Sequence, residues 1–417
     1  MDFEPWWLIV VPVLFGLGWV AARVDFRQML SESRRLPDSY FKGLNFLLNE
    51  EPDQAIDAFI EVAKLDSETV ELHFALGNLF RRRGEIERAI RVHQSLLGRA
   101  DLVAEARQDA QFELAKDFLK AGMLDRAEAG FEAVTDTQHA VEAMRYLVRI
   151  YEAGHDWPKA IEAVKRLGRL TQEAVPQRVH YHCEQAEAAL TAHEPQFKAT
   201  QKALDGAEQA ARELAGDCTL GAKVRIALLR ALWAEKKQEL THQRDELESI
   251  LSFAPMYSGL VAAPLMRCYQ ALDQADEGIE VLRTHFNQHP NLMVFNVLFK
   301  VLREHNGPLE AWRFARKALR GTPSLLALDR MLEVELSANK DKKVSSAVQD
   351  MVDDALTKEV AAGADLALLR SLIHKHTQRL DRYACKECGF EARTYYWQCP
   401  GCNHWESYPP LLLEEHP

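Results

Sequence analysis

The 417-residue sequence predicts an all-α chain in three parts: an N-terminal transmembrane helix, a superhelix of stacked helix hairpins and a small metal-folded knuckle near the C-terminus. Three observations carry that expectation. An uncharged run extends from Pro5 to Ala22, a 34-residue period sets in after residue 39, and the segment CKECGFEARTYYWQCPGC, residues 385–402, holds four of the seven cysteines in two tight pairs. At this length a single compact core is disfavoured and an elongated array of repeating units is the natural alternative. The apolar share of 47% and charged share of 27% are those of a folded protein, and the net charge of −11 argues against a general grip on nucleic acid.

The anchor rests on hydropathy. The 18 residues from Pro5 to Ala22 would form a helix of about 27 Å against a hydrocarbon core of about 30 Å, just enough to span it. A secretory signal opens on Lys or Arg, whereas here Asp2 and Glu4 come first and no small-residue cleavage site precedes Arg23. Residues 1–23 are therefore expected to stay as a single-pass anchor. Arg23, Arg27, Arg34 and Arg35 follow the span and no Lys or Arg precedes it, which places everything after Arg23 in the cytoplasm. Residues 24–38 form a juxtamembrane linker.

Next comes the repeat. Aligning GLNFLLNEEPDQAIDAFIEV from Gly43 with GNLFRRRGEIERAIRVHQSL from Gly77 gives an offset of 34, and places Phe46 on Phe80 and Ala55 on Ala89. The same aromatic-to-Ala interval of nine returns as Phe118 to Ala127 and as Tyr151 to Ala160. A large ring on one helix packing over a small residue on the next lets two backbones approach, with Gly84 and Gly122 at the turns. Each hairpin leaves one apolar face for its neighbour, so the units stack into a superhelix with a long concave wall. The pattern resembles the tetratricopeptide repeat, most clearly over residues 39–168, and arrays of that kind hold other proteins. Further on the helical periodicity persists while the small landmarks become irregular, giving about eight hairpins over residues 39–320, the later ones degenerate. Residues 321–380 read as a helical cap.

The knuckle, residues 381–408, precedes a short tail, 409–417. It is far too small to bury a useful core, and a reducing cytoplasm disfavours disulfides. Four thiolates on one ion remain, with Cys385, Cys388, Cys399 and Cys402 as ligands, and such sites contribute about 10–16 kcal/mol to folding in zinc-finger peptides. Gly389 and Asn403 follow the two pairs, where a tight turn needs positive φ, and Pro400 stiffens the second pair. Four-sulfur coordination suits one zinc or one iron alike, and a closed shell leaves no position for water. The spacing is similar to a rubredoxin knuckle pair, though with a shorter interval between the pairs. Phe390, Tyr395, Tyr396, Trp397 and Trp405 exceed what so small a module can hide, so part of that surface is expected to dock on the helices.

Other signals point to structure. Cys183, Cys218 and Cys268 are isolated on expected helices and read as small buried residues. His180 with His182, and His374 with His376, are two positions apart and face different sides of a helix, and His404 lies beside an already complete tetrahedron. Arg81, Arg82 and Arg83 read as a solvated helix end. No phosphate-binding Gly-rich loop, His-Glu-x-x-His or Gly-x-Ser-x-Gly motif occurs, so no enzyme is expected and no catalytic or organic-cofactor residue is assigned.

The anchor before the repeats, together with YACKECGF, YYWQCPGC and Trp405, resembles the lipopolysaccharide assembly protein B family of Gram-negative bacteria, over essentially the whole chain. The resemblance implies metal ligation by Cys385, Cys388, Cys399 and Cys402, with iron as the family's metal. It also implies an inner-membrane position with a periplasmic N-terminus. The partners it implies are the membrane-anchored AAA+ zinc protease, the lipid A deacetylase as client and other lipopolysaccharide assembly proteins, with no nucleic acid. No residue is assigned to a partner surface, and the oligomeric state stays open, a homodimer among the alternatives. The competing expectation is a rubredoxin-like electron-transfer protein that docks a reductase through its repeats.

Overall fold

The computed structural model describes residues 70–346 and 355–415 except 174, 215 and 217, and before them residues 13, 19, 42, 43, 45, 46, 49, 51 and 54–58; side chains are described outside 337–365, 378 and 379. Apart from two positions, the expected anchor lies outside the described residues, as do the linker arginines. Within the anchor only Val13 and Trp19 are described, both helical and exposed. Among the described residues no helix is long and apolar enough to cross a membrane.

From Val70 the helices follow one another in pairs. They are α1 (Val70–Arg83) and α2 (Ile86–Leu97), α3 (Ala104–Lys120) and α4 (Leu124–Glu132), α5 (Ala140–Ala153) and α6 (Trp157–Thr171), and α7 (Gln177–Thr191) and α8 (Phe197–Leu214). There follow α9 (Leu220–Lys236) and α10 (Leu240–Phe253), α11 (Ser258–Ala271) and α12 (Ala275–Gln288), α13 (Leu292–His305) and α14 (Pro308–Gly321), and finally α15 (Leu325–Ser346) and α16 (Ala355–Leu380).

One turn geometry recurs. Gly84 and Gly122 take φ of +86° and +75°, as a left-handed helix stop requires. The equivalent positions are filled by His155 (φ 53°), Gln238 (φ 64°), Asp273 (φ 57°) and Gly307 (φ 92°). At five of these turns the N–H of the residue after the left-handed position donates to the carbonyl five residues earlier: Glu85 to Phe80, Met123 to Phe118, Asp156 to Tyr151, Glu239 to Ala234 and Gln274 to Tyr269, all at 2.8–2.9 Å. The interval of nine continues beyond the clean repeats at Ala234 with Gln243 and Tyr269 with Gly278, whose first members are two of these acceptors, and at Leu302 with Ala311, all buried. Ala55, Ala89, Ala127 and Ala160 are completely buried. A methyl placed on Gly278 would come within 2.7 Å of the Tyr269 ring, so there the small residue is a glycine.

The chain forms two compact units, residues 1–156 with 165–172 and residues 157–164 with 173–417. In the first, α1, α2 and α3 are joined by a buried polar chain. Asp117 accepts from Arg81 Nη1 at 2.8 Å and lies 2.5 Å from His93 Nδ1, with His93 and Asp117 both completely buried. Arg81 is also paired with Glu113, so the expected solvated helix end holds only for Arg82 and Arg83. A charge this deep is tolerated because carboxylates on the neighbouring helix satisfy it.

In the second unit a continuous apolar core runs through α9 to α15, with Ile250, Val261, Leu265, Leu282, Val294 and Leu298 fully buried. Burying each such side chain stabilises by about 1.5–3 kcal/mol. The C-terminal module adds β1 (Tyr383–Ala384) antiparallel to β2 (Glu391–Ala392), pairing Tyr383 with Ala392 and Ala384 with Glu391. Residues 409–415, within the expected short tail, are packed against the helices. Pro409, Pro410 and Leu412 are buried, and the following carboxylates cap two helices, Glu415 accepting from Leu292 N at 2.7 Å and Glu414 from Leu325 N and Leu326 N. Negative charge at a helix start complements its unsatisfied N–H groups.

Candidate metal centre

Two hairpin tips build the centre. The first lies between β1 and β2, and the second is closed by a bridge between Gln398 and Trp405. In each, the residue after the Cys pair carries positive φ, Gly389 at 73° and Asn403 at 59°, and donates its N–H to the carbonyl of the first Cys, Cys385 or Cys399, at 2.9 and 2.8 Å. The fold thus turns Cys385, Cys388, Cys399 and Cys402 towards one point, with their sulfurs all within 4.8 Å of one another. The Cys385–Cys402 and Cys388–Cys399 sulfur separations are both 3.7 Å. Sulfurs about 2.3 Å from a central ion at tetrahedral corners stand roughly 3.8 Å apart, so the set fits one four-coordinate ion; a disulfide needs about 2.05 Å. The donor chemistry admits zinc and iron equally.

The surroundings act unevenly on the four sulfurs. Gly401 N lies 3.4 Å from Cys399 Sγ, and the Tyr408 hydroxyl, 3.9 Å from the same sulfur, donates to the Phe390 carbonyl at 3.1 Å. Burial opposes ionisation of Cys385, but the Ser407 side chain and the N–H groups of Cys388 and Glu387 bring its thiol down to about 6. The N–H of His404 favours the Cys402 thiolate, whereas burial and the other three sulfurs push that thiol up to about 12. Charge crowded among four sulfurs calls for a cation. Cys385 and Cys399 are buried while Cys388 is exposed.

The module is seated on the starts of α7, α9, α11, α13 and α15. Glu406, at φ 51°, accepts from His180 Nε2 at 2.7 Å and from the hydroxyl of Thr219, the residue that caps α9. Gly221 permits this approach, since a methyl there would stand 2.8 Å from the Glu406 carboxyl carbon. Trp405 stacks on His180 with centroids 4.9 Å apart at 14° and meets Trp157 and Tyr181 edge-on, while Trp397 stacks on Tyr257. Arg225, only 2% exposed, lies 5.6 Å from Trp397 and 5.7 Å from Trp405, pairs with Glu184 and Glu187, and donates to His180 Nδ1 at 3.4 Å. Burial, and then the Arg225 charge, lower the His180 pKa despite Glu406, so the ring is neutral with its hydrogen on Nε2. Burial opposes ionisation of Glu406, yet His180, Thr219 and the N–H of Ala222 hold it below the usual carboxylate value.

Residues 383–410 match the family described as "Rubredoxin metal binding domain", Zn_ribbon_LapB. Lipopolysaccharide assembly protein B of Escherichia coli (strain K12) is 30% identical over 408 residues, covering 97% of each chain. This chain belongs to the lipopolysaccharide assembly protein B family. The lipopolysaccharide assembly protein B of Haemophilus influenzae is 28% identical over 420 residues, covering 98% of each chain. Among solved structures, the C-terminal part of a TPR repeat-containing protein from Cytophaga hutchinsonii is 13% identical and covers 58% of this chain and 94% of that one, with a TM-score of 0.34. At that superposition the repeat assignment in this member of the lipopolysaccharide assembly protein B family rests on its own turns.

The structure brings together all four expected cysteines, and the expected docking of Trp397, Trp405 and Tyr395 holds, with Phe390 and Tyr396 left exposed. Cys183, Cys218 and Cys268 are buried apart from the centre, as expected; burial pushes the Cys183 thiol up to about 12. His374 pairs with Asp329, and His404 is exposed. Sequence reasoning missed Glu406, Thr219 and Arg225. Arg225 alone left a signal, as a cation inside the apolar stretch VRIALL; nothing marked Glu406, which lies 226 positions from its partner His180.

Proposed function

We propose that this chain is an inner-membrane adaptor in the control of lipopolysaccharide synthesis and not an enzyme. In this reading residues 1–23 tether the helical array to the cytoplasmic face of the bilayer. The array holds the UDP-3-O-acyl-N-acetylglucosamine deacetylase and presents it to the membrane-anchored AAA+ zinc protease, and it also contacts other lipopolysaccharide assembly proteins. Tethering helps because it converts capture into a nearly intramolecular event. Cys385, Cys388, Cys399 and Cys402 hold one zinc or iron ion, which supplies a fold and no reaction, since four sulfurs leave no place for water.

The observation that carries the scaffold reading is the seat of the module: Glu406, Trp397 and Trp405 are used to lock it onto the helices. Similarity to the curated relatives along 97% of the chain supports the pathway. The test is cross-linking in native membranes followed by identification of the trapped proteins. Recovery of the protease and the deacetylase is expected, and recovery of neither overturns the reading. Deleting residues 1–23 should abolish regulation while the remainder stays folded.

One observation favours a second reading. Cys388 is exposed beside Phe390, itself 45% exposed, an arrangement open to electron exchange. Reversible bleaching of the iron form, with loss of function on replacing iron by zinc, would establish that role.

A further inference from the structure

α12 and α14, the second helices of consecutive hairpins, flank a groove of about 430 Å³. Its floor is aromatic and apolar: Phe286 and Phe314 stand 5.6 Å apart, Phe314 stacks on the buried Phe295 at 5.4 Å, and Pro290 closes one side. Its rim is cationic. Arg313 and Lys317 are one turn apart on α14 and Arg283 faces them from α12. Glu280 and Glu310 each hold one guanidinium from three residues away, at 2.8 and 2.6 Å, while Lys317 has no ion pair among the described residues. The groove therefore carries a local positive excess on a chain of net charge −11, which repels acidic partners elsewhere and steers them here.

We propose that this groove docks an acidic peptide segment of a partner protein, laying a Leu or Phe against Phe286, Phe314 and Pro290 while flanking Asp or Glu side chains meet Arg283, Arg313 and Lys317. The concavity decides against a bilayer. A membrane surface would reach the rim cations and leave the floor unfilled, whereas a side chain projecting from a peptide fills it. The inference rests on the reading of the array as a protein-holding scaffold and adds a location and a ligand chemistry to it.

The test uses the full-length, zinc-loaded chain in mild detergent and a short fluorescein-labelled peptide in which Asp and Glu flank a Phe-Leu pair, followed by anisotropy. The wild type is expected to bind, more weakly as salt rises from about 50 to about 300 mM. The double variant R313E/K317E, altered only at exposed positions, should bind about ten-fold more weakly with unchanged helix content, because attraction becomes repulsion. Replacing Phe-Leu by Ser-Ser should also weaken binding. Equal binding by the variant, indifference to the Phe-Leu pair, or capture of phosphatidylglycerol vesicles in place of the peptide would each overturn the proposal. Any of these leaves the adaptor reading standing if cross-linking still recovers the protease and the deacetylase.

Discussion

Each unit of the molecule buries a histidine against a carboxylate and an arginine, and the two sets differ in where the carboxylate comes from. In the first unit Asp117 is 24 positions from His93 and 36 from Arg81, on the next hairpin of the same array. In the second, Glu406 is 226 positions from His180 and belongs to the metal module, while Arg225 comes from the neighbouring helix pair. Similar chemistry thus closes a seam between repeats in one place and clasps a separate module in the other. The first set forms whenever two hairpins stack. The second forms only if the module has folded, which makes it depend on four sulfurs that touch neither His180 nor Arg225.

The largest test of that difference is loss of the ion. Chelation, or Cys399→Ser, should remove the roughly 10–16 kcal/mol that such an ion contributes. By hydrogen exchange, residues 383–415 and the first turns of α7, α9, α13 and α15 should lose protection, while α1 to α5 keep theirs. Equal loss in both units, or none in either, would break the comparison.

Next in size are the arginine and the aspartate. Arg225→Ala leaves a gap between Trp397 and Trp405 and uncompensated carboxylates at Glu184 and Glu187, and Asp117→Ala leaves Arg81 and His93 without their acceptor. Each should cost about 3 kcal/mol, the lower end for a broken buried pair because some partners are partly solvated. Only Arg225→Ala should free the module to proteolysis. If Asp117→Ala frees it equally, the two sets are not separate devices.

Smaller effects come from two glycines that admit a neighbour. A methyl on Gly77 would lie 2.3 Å from His93 Nε2, and one on Gly221 would lie 2.8 Å from the Glu406 carboxyl carbon. Gly77→Ala and Gly221→Ala should each cost about 1–3 kcal/mol by overpacking. Double variants should show that Gly77→Ala is relieved by His93→Ala and Gly221→Ala by Glu406→Ala, with the crossed pairs additive.

The repeat was legible where its landmark residues are Phe, Tyr, Ala and Gly. It became illegible where the turn geometry is kept by His155, Gln238 and Asp273: Asp and His are enriched in the left-handed conformation but are common elsewhere too, and Gln carries no such preference. The spacing survives at Tyr269 and Gly278 and at Leu302 and Ala311, hidden by a change of residue type. For the metal centre, the four cysteines and the turn residues Gly389 and Asn403 were readable because thiolate geometry dictates their spacing. The seat was not, because a contact such as His180–Glu406 depends on the path of the whole intervening chain. Docking as such could be foreseen from the surplus of rings, but its partners could not.

Acid should act more gently, and through the second set. Burial holds the His180 pKa below its ordinary 6.5, and Glu406, despite burial, is held below its ordinary 4.5 by His180 and Thr219. In both cases the unfolded chain binds the proton more readily, so stability falls as pH falls. The His180 contribution is complete above about 6.5 and is lost from there downward through its lower folded value, while that of Glu406 persists until pH drops below about 4.5. Between pH 7.5 and 5, with zinc saturating, the Tm difference between the wild type and His180→Gln should therefore shrink, while that between the wild type and Glu406→Gln should stay nearly constant until lower pH. Protonation of the thiols is common to all three proteins and cancels in the differences. A wild-type to His180→Gln difference that does not change with pH would mean that His180 is not the neutral donor to Glu406, and the clasp would then have to work through Thr219 and the stacked rings alone.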